Sequence, residues 1–217
     1  MKNPLSESSF TGNLLVASSL VTEPIYAGGV CLIVHQDSEH VIGVMLNRPM
    51  KPSAEMLMAM LGGKSAAQPP ADNRLGTPES TEAPQSEFQG DVGAGGLGLV
   101  HFGGPLSGPV VAIHQNSQFA EAETGSGIYM AAQKQHLEDL VRRKPGPYRL
   151  IIGHLGWEIE QLQGEVEAGI WHLVPATVES VFASAGQMWP GLIRRATSRS
   201  MARWMGTADV IEAAELN

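Results

Sequence analysis

Residues 148–158 read Tyr148-Arg149-Leu150-Ile151-Ile152-Gly153-His154-Leu155-Gly156-Trp157-Glu158, and this stretch does most to decide the fold. Its first five residues are mostly apolar and predict a strand. A glycine hinge follows, and Trp157 predicts the start of a helix that runs to about Glu167. Apolar residues in that helix recur at i, i+3 and i+7, the spacing of one buried face, at Ile159, Leu162 and Val166.

The N-terminal part of the chain predicts a three-part β unit. Residues 13–18 are apolar, and two β-branched runs, 29–35 and 41–46, are separated by a good hairpin connection, Gln36-Asp37-Ser38-Glu39. The continuous apolar character of both runs predicts strands covered on two faces. Asn47-Arg48-Pro49 predicts the end of the unit, because proline removes a ladder donor. A short helix is expected at 54–61.

Residues 64–98 differ in composition from the rest of the chain. Proline, glycine, serine, alanine and acidic residues dominate, and the few apolar residues have no period. Such a segment buries too little apolar surface to offset the entropy of ordering it. We predict a disordered insertion loop, 64–98, within a single domain spanning 1–217, because strand-like sequence resumes beyond it. The remaining strands are predicted at 99–102, 110–114, 127–130 and 170–174, and the remaining helices at 133–143, 177–182 and 187–205.

Composition excludes several classes of protein. The 217 residues are 43% hydrophobic and 17% charged, as in ordinary globular proteins. A formal net charge of −8 disfavours non-specific nucleic-acid binding, which depends on neutralising phosphates. The single cysteine, Cys31, excludes an internal disulfide framework, and its apolar neighbours predict a buried, inert thiol. No apolar stretch reaches the ~20 residues needed to span a bilayer, and we expect a cytoplasmic protein.

Several motifs resemble cofactor or catalytic sites without the required context. Residues 93–98 satisfy the dinucleotide pattern G-x-G-x-x-G, but strand-like sequence follows where the pattern needs a helix. Gly62-Gly63-Lys64-Ser65 resembles the end of a phosphate-binding loop, but Met58 stands where that loop needs glycine. There is no G-x-S-x-G elbow, and the seven histidines lack metal-ligand spacing. The sequence therefore predicts no cofactor and no metal.

The predicted helix at 187–205 is basic. It holds Arg194, Arg195, Arg199 and Arg203 and no acidic residue. The favoured interpretation is a solvated arginine face on an acidic body. A nucleic-acid contact helix is the alternative, which the overall negative charge disfavours.

The motifs together resemble the AlgH/YqgE family of small bacterial proteins. The resemblance covers residues 12–61 and 99–185, and it rests on short segments in a fixed order: Gly12–Ala17, Glu23–Tyr26, Gly43–Pro49, Phe102–Pro105, Val111–His114, Gly153–Trp157 and Gln161-Leu162. It implies an α+β fold in which a mostly antiparallel sheet curls into a pseudo-barrel with helices packed outside. It also implies a cytosolic protein with no established enzymatic activity. One branch is linked by name to the regulation of alginate synthesis.

This chain departs from the family pattern near its most specific motif. The family usually has an aromatic residue at His154, a glycine at Glu160 and an acid at Gln163. Gln161, Leu162 and Glu165 fit the pattern. Any ligand site that this helix start builds therefore has an altered polarity here.

We hypothesise that six residues line one small site for an anionic ligand or a peptide: Asn47, Arg48, Gly103, Gly104, Trp157 and Gln161. Glycine backbone N–H groups can approach a ligand closely, and arginine supplies a forked donor for carboxylate or phosphate. Trp157 and Gln161 are expected at i,i+4 on one helix face, with a stacking plane beside an amide. A purely structural interpretation remains open, with a Gly-Gly-Pro turn, a core tryptophan and a turn capped by Asn47-Arg48.

The favoured function is thus a non-enzymatic binding or regulatory module. One alternative is a hydrolase that uses His154 as base with Glu158, which requires both on one helical face. A second is a transcription-related regulator that acts through protein contacts. We expect the partner to be a protein or a small molecule rather than nucleic acid or a membrane. A dimer is the default expectation for an oligomeric state that the sequence does not specify.

Overall fold

The computed structural model describes residues 9–54, 57–58 and 99–204. The described chain contains eleven short strands, with helices interspersed among the later ones. In chain order the strands are β1 Asn13–Ala17, β2 Val30–Gln36, β3 His40–Met45, β4 Pro49–Ser53, β5 Leu99–Phe102, β6 Val111–His114, β7 Ala122–Gly125, β8 Ile128–Ala131, β9 Tyr148–Ile152, β10 Leu155–Glu158 and β11 Trp171–Pro175.

These strands form two sheets. The first has the order β10-β3-β2-β1-β11, and all of its neighbours are antiparallel. The second has the order β4-β5-β9-β6-β8-β7, in which β5 and β9 are parallel and the other neighbours antiparallel. Because β9 and β10 are separated only by Gly153 and His154, the chain passes directly from one sheet to the other at that point.

Helices lie against these sheets. Residues 117–119 form a single 3-10 turn, and the longer helices are α1 Lys134–Arg143, α2 Ile159–Glu167, α3 Val178–Phe182 and α4 Ala185–Trp204. Thr177 caps α3 in a reciprocal capping box with Ser180. No helix in the described part of the chain combines the length and the apolar character that a membrane span requires.

In the described part of the chain, the core comprises three apolar clusters. The largest contains residues of both sheets together with α3 and α4, and it includes Leu32, Ile151, Val181 and Leu192. The second lies on the other face of the first sheet, beneath Leu162 of α2. The third lies beneath α1 on the second sheet. Strand β2 contributes alternate residues to the first two clusters, which explains its continuous apolar sequence.

The structure confirms the α+β class, the hairpin of β2 and β3, and the predicted helices α1, α3 and α4. Cys31 is fully buried, and burial raises the pKa of its thiol. Arg194 and Arg195 are exposed on α4, while Met188 and Leu192 of the same helix are buried. Closure into a pseudo-barrel and a single domain over 1–217 stay predictions. The predicted 64–98 insertion loop lies outside the described residues, as does most of the helix predicted at 54–61.

One expectation about secondary structure is incomplete and another is wrong. Asn47-Arg48-Pro49 ends the three-part unit of β1, β2 and β3 in the first sheet, but a further strand, β4, begins at Pro49 in the second sheet. This strand lies at the edge of the second sheet, where a missing N–H donor is tolerated. Helix α2 begins at Ile159 rather than at Trp157, because Leu155–Glu158 pair with β3 as strand β10. Strands β4, β7 and β10 are absent from the sequence prediction.

Candidate functional site

A cleft of about 380 Å³ lies beside the first sheet, between helix α2 and the loops that follow β1 and β5. Three aromatic side chains and three polar ones give it its chemistry: Tyr26, Trp157 and Trp171, with Glu23, Gln161 and Glu165. We call it the aromatic cleft. Its volume is at the lower end of the range of about 300–1,000 Å³ typical of ligand pockets.

Glu165 is the centre of the polar network in this cleft. Its Oε2 accepts hydrogen bonds from Nε1 of Trp157 at 3.1 Å and from Nε1 of Trp171 at 2.9 Å. Its Oε1 accepts one from Nε2 of Gln161 at 2.8 Å, one helical turn earlier on α2. One carboxylate therefore holds side chains from strands β10 and β11 and from helix α2. Hydrogen bonds to a charged acceptor are stronger than neutral ones, so the arrangement is well fixed.

The aromatic rings pack edge to face. Trp157 and Trp171 have centroids 6.2 Å apart and an interplanar angle of 89°. Tyr26 meets Trp171 at the same centroid distance and an angle of 78°. Both tryptophans are buried, whereas Tyr26 is half-buried. Edge-to-face pairs are the favoured aromatic geometry, so the wall of the cleft is rigid.

Asn47 and Arg48 hold the loop that carries Tyr26. Nη2 of Arg48 donates to the carbonyl oxygens of Ala27 at 2.6 Å and Ile25 at 3.4 Å. Asn47 donates from Nδ2 to the carbonyl of Gly28, and its Oδ1 accepts from the backbone N–H of Val30. Partial burial lowers the pKa of Arg48. Both side chains thus act behind the cleft, on the backbone, and neither lines it.

Gly103 and Gly104 bring two strands of backbone into close contact. The Gly103 N–H donates to the carbonyl of Ile152, and its own carbonyl accepts from the N–H of Met45, so this residue links both sheets. A side chain at Gly104, whose φ is +154°, would collide with the carbonyl of His154. The chain then continues to Leu106, which exchanges backbone hydrogen bonds with His154 and lines the cleft.

The six predicted site residues therefore divide into two groups. Trp157 and Gln161 line the aromatic cleft, while Asn47, Arg48, Gly103 and Gly104 support the two loops that complete it. Trp157 and Gln161 do not share a helix face, because Trp157 belongs to strand β10. Pairing with β3 overrides the helical pattern, and the indole of Trp157 packs over the bare backbone of Gly43.

Sequence reasoning missed the roles of Tyr26, Glu165 and Trp171. Two features of the sequence could have identified Glu165 as a site residue: it matches the family pattern, and it lies four residues after Gln161. Its contacts with two tryptophans from different strands depend on the sheet order, which local sequence patterns do not contain.

The geometry does not assemble the His154–Glu158 pair that the hydrolase alternative requires. Residues 155–158 are extended, so the two residues lie about 13 Å apart along the strand rather than on one helical face. His154 instead lies beside an apolar pocket with His35, Ile42 and Met130. No group of His, Cys, Asp and Glu in the described part of the chain has the arrangement of a metal site.

Acidic groups dominate the electrostatics of the aromatic cleft. Glu23 and Glu165 line it, and none of the described lining residues is Lys, Arg or His. Burial raises the pKa of the Tyr26 phenol, and the nearby carboxylates of Glu23 and then Glu165 raise it further. The cleft therefore combines aromatic surface with negative charge.

Comparison with known proteins gives consistent matches over most of the chain. The AlgH-like family model matches residues 14–200. A UPF0301 protein of Thermobifida fusca is 28% identical over 201 residues, covering 90% of this chain and 91% of the relative. A UPF0301 protein of Anaeromyxobacter sp. strain K is 29% identical over 189 residues, covering 83% and 85%.

Two solved structures have a similar fold. The solution structure of the AlgH protein from Pseudomonas aeruginosa superposes with a TM-score of 0.61 at 18% identity, covering 96% of this chain and 98% of that one. The crystal structure of protein DIP2367 from Corynebacterium diphtheriae also gives 0.61, at 20% identity, with 90% of both chains covered. At these identities the likeness establishes the fold alone.

Proposed function

Because the chain belongs to the AlgH-like family, we propose that it is a non-enzymatic binding module and that the aromatic cleft is its recognition site. The observation that carries this proposal is the Glu165 carboxylate, which fixes Trp157, Trp171 and Gln161 around one cavity. A site whose side chains are held before the ligand arrives loses less conformational entropy on binding.

The lining of the cleft favours binding over catalysis. None of the described lining residues is Ser, Thr, Cys, Lys or His, the usual nucleophiles and bases. Both oxygens of Glu165 already accept hydrogen bonds from neutral donors. The site therefore offers shape, aromatic surface and charge rather than a reactive group.

The expectation of an anionic ligand loses its physical support in this arrangement. It depended on Arg48 and on the N–H groups of Gly103 and Gly104. Arg48 and Gly103 donate to backbone carbonyls within the fold, and Gly104 does not line the cleft. A peptide occupant retains support, since Leu106 and Ile170 at the rim are 48% and 41% exposed. Apolar side chains beside a polar cleft suit contact with another protein. A regulatory role through such contacts is the second candidate function.

We also propose a cellular location and a scaffold for the protein. We place the protein in the cytoplasm, in line with a lone buried thiol, and retain the pseudo-barrel of the family as its scaffold.

Nuclear magnetic resonance with a library of small molecules and short peptides tests the proposed site. The indole N–H signals of Trp157 and Trp171 report directly on the Glu165 network, so ligands of the cleft should shift them. Gln161→Ala and Leu106→Ser should weaken those ligands, because both side chains line the cleft and are exposed. Gln163→Ala, on the same helix and outside the lining, is the matched control. If no member of the library shifts either indole signal, the proposed function is wrong.

A further inference from the structure

We propose that the occupant of the aromatic cleft carries an organic cation, an ammonium or guanidinium group, that binds against Glu165, Glu23 and the aromatic side chains. This inference rests on the proposed function of the cleft and specifies the chemistry of its ligand. It reverses the charge expected from the sequence.

The negative charge of the aromatic cleft is not compensated by a cation within the described residues. Glu23 and Glu165 form no salt bridge with any residue in the described part of the chain, and the lining itself contributes no positive charge. The partners of Glu165 are neutral indole and amide N–H groups. Two like charges beside a partly desolvated cavity attract a cation, and the attraction is stronger there than in bulk water. The raised pKa of the Tyr26 phenol follows in part from the same two carboxylates.

The cleft also combines carboxylate groups with aromatic surface, which together suit an organic cation. Aromatic faces attract cations, and guanidinium, which is more weakly hydrated than a primary ammonium, and quaternary ammonium groups are well suited to such contacts. Tyr26 is the most accessible of the three aromatic side chains, and Glu23 beside it is exposed. A hard metal ion is disfavoured, because it requires about six oxygen ligands and both oxygens of Glu165 are already engaged.

The size of the cleft is compatible with such a group. Its volume of about 380 Å³, at the lower end of the range for ligand pockets, accommodates a side-chain-sized cation. The exposed rim residues Leu106 and Ile170 offer apolar contacts to whatever flanks the charged group. A free amine and a lysine or arginine side chain of a peptide share this chemistry, and the experiment separates the two sources.

The test compares cations with neutral molecules of the same shape on the full chain. Choline is paired with 3,3-dimethylbutan-1-ol, and acetyl-arginine amide with acetyl-citrulline amide; acetyl-Ala-Lys-Ala-amide represents the peptide source. Binding is followed by the indole N–H signals of Trp157 and Trp171. We expect each cation to bind about tenfold more tightly than its neutral partner, and this preference to shrink as salt is added.

Glu165→Gln is the decisive variant, since its amide oxygen can still accept from the indoles while the charge is lost. We expect it to reduce the affinity for each cation about tenfold. Glu160→Gln, on the same helix and outside the lining, carries the same change in net charge and should have no effect. If Glu165→Gln does not fold, Glu23→Gln at the exposed side of the cleft should reduce the cation preference in the same direction.

The outcomes separate this inference from the proposed function. Tighter binding of the lysine peptide than of choline supports a peptide-borne cation, and equal or weaker binding supports a free organic cation. Neutral partners that shift the same indole signals as strongly as the cations overturn the inference and leave the cleft as the recognition site. Failure of every probe here while members of the library still bind overturns this inference alone, whereas failure of the library overturns the proposed function and this inference with it.

Discussion

Arg149→Met is expected to destabilise the protein strongly, although Arg149 lies outside the aromatic cleft. The side chain is 1% exposed on strand β9. Its Nε donates to the carbonyl of Val181 at 3.0 Å, one Nη donates to the carbonyl of Ala183, and the other lies 2.8 Å from Nε2 of His101. Burial lowers its pKa to about 10, so it remains charged at neutral pH.

The size of the expected loss in stability follows from the hydrogen bonds of Arg149 that methionine cannot make. Two backbone carbonyls at the C-terminal end of α3 lose a charged donor, at about 1–3 kcal/mol for each acceptor left buried without a partner. The helix dipole also loses a cation at its negative end. Removing a buried charge offsets part of this cost, and methionine fills much of the volume. We therefore expect a net loss of about 3 kcal/mol in the free energy of unfolding, or about 6–12 °C in Tm for a chain of this size.

Urea unfolding followed by circular dichroism measures this loss, and hydrogen exchange locates it. Amides of α3 and the start of α4 should exchange faster, because the fork of Arg149 joins both to the second sheet. Arg143→Met is the control, since that arginine is largely exposed at the end of α1 and should change stability by less than about 0.5 kcal/mol. An Arg149→Met protein as stable as the control would refute the reasoning.

Three further predictions concern stability. Gly104→Ala should lower the free energy of unfolding by about 3 kcal/mol or more, because the new Cβ meets the carbonyl of His154. Gly164→Ala on α2, which has open space around it, should instead raise the free energy of unfolding by about 0.5–1 kcal/mol. Urea unfolding distinguishes the two signs. Burial lowers the pKa of His114 to about 4, below its ordinary value of 6.5. Since the unfolded chain then binds the proton first, stability should fall as the pH drops from about 6.5 towards 4, by about 1–2 kcal/mol between pH 7 and pH 5 after allowance for solvent screening. His114→Phe should remove this part of the pH dependence, and an unchanged slope would contradict the assignment.

Local sequence patterns predict the elements whose structure is decided locally. The β2–β3 hairpin has a short polar connection between two apolar runs, and α3 has a threonine cap, so both follow from neighbouring residues. Strand β10 cannot be predicted from neighbouring residues in this way. Residues 155–158 form a strand because His40–Gly43 lie opposite them, more than a hundred residues earlier in the chain.

The same distinction between local sequence patterns and long-range contacts applies to the candidate site. Trp157 and Gln161 could be selected from the sequence because they lie within the most specific motif. The functions of Arg48 and Gly103 could not be assigned, since their partners are backbone groups distant in the sequence. The sign of the charge in the cleft depends on Glu23 and Glu165 lining the same cavity, which only the fold brings about.

The pairing of β1 with β11 has a consequence for the synthesis of this protein. Asn13 lies opposite Pro175, so the first sheet cannot be completed until residue 175 has been translated. At about 5–20 residues per second, this interval lasts roughly 8–30 s on the ribosome. Until then Leu14, Leu15 and Val16, all buried in the folded protein, have one open flank. We expect the nascent chain to depend on protection by chaperones during that interval, and late-forming contacts of this kind slow folding.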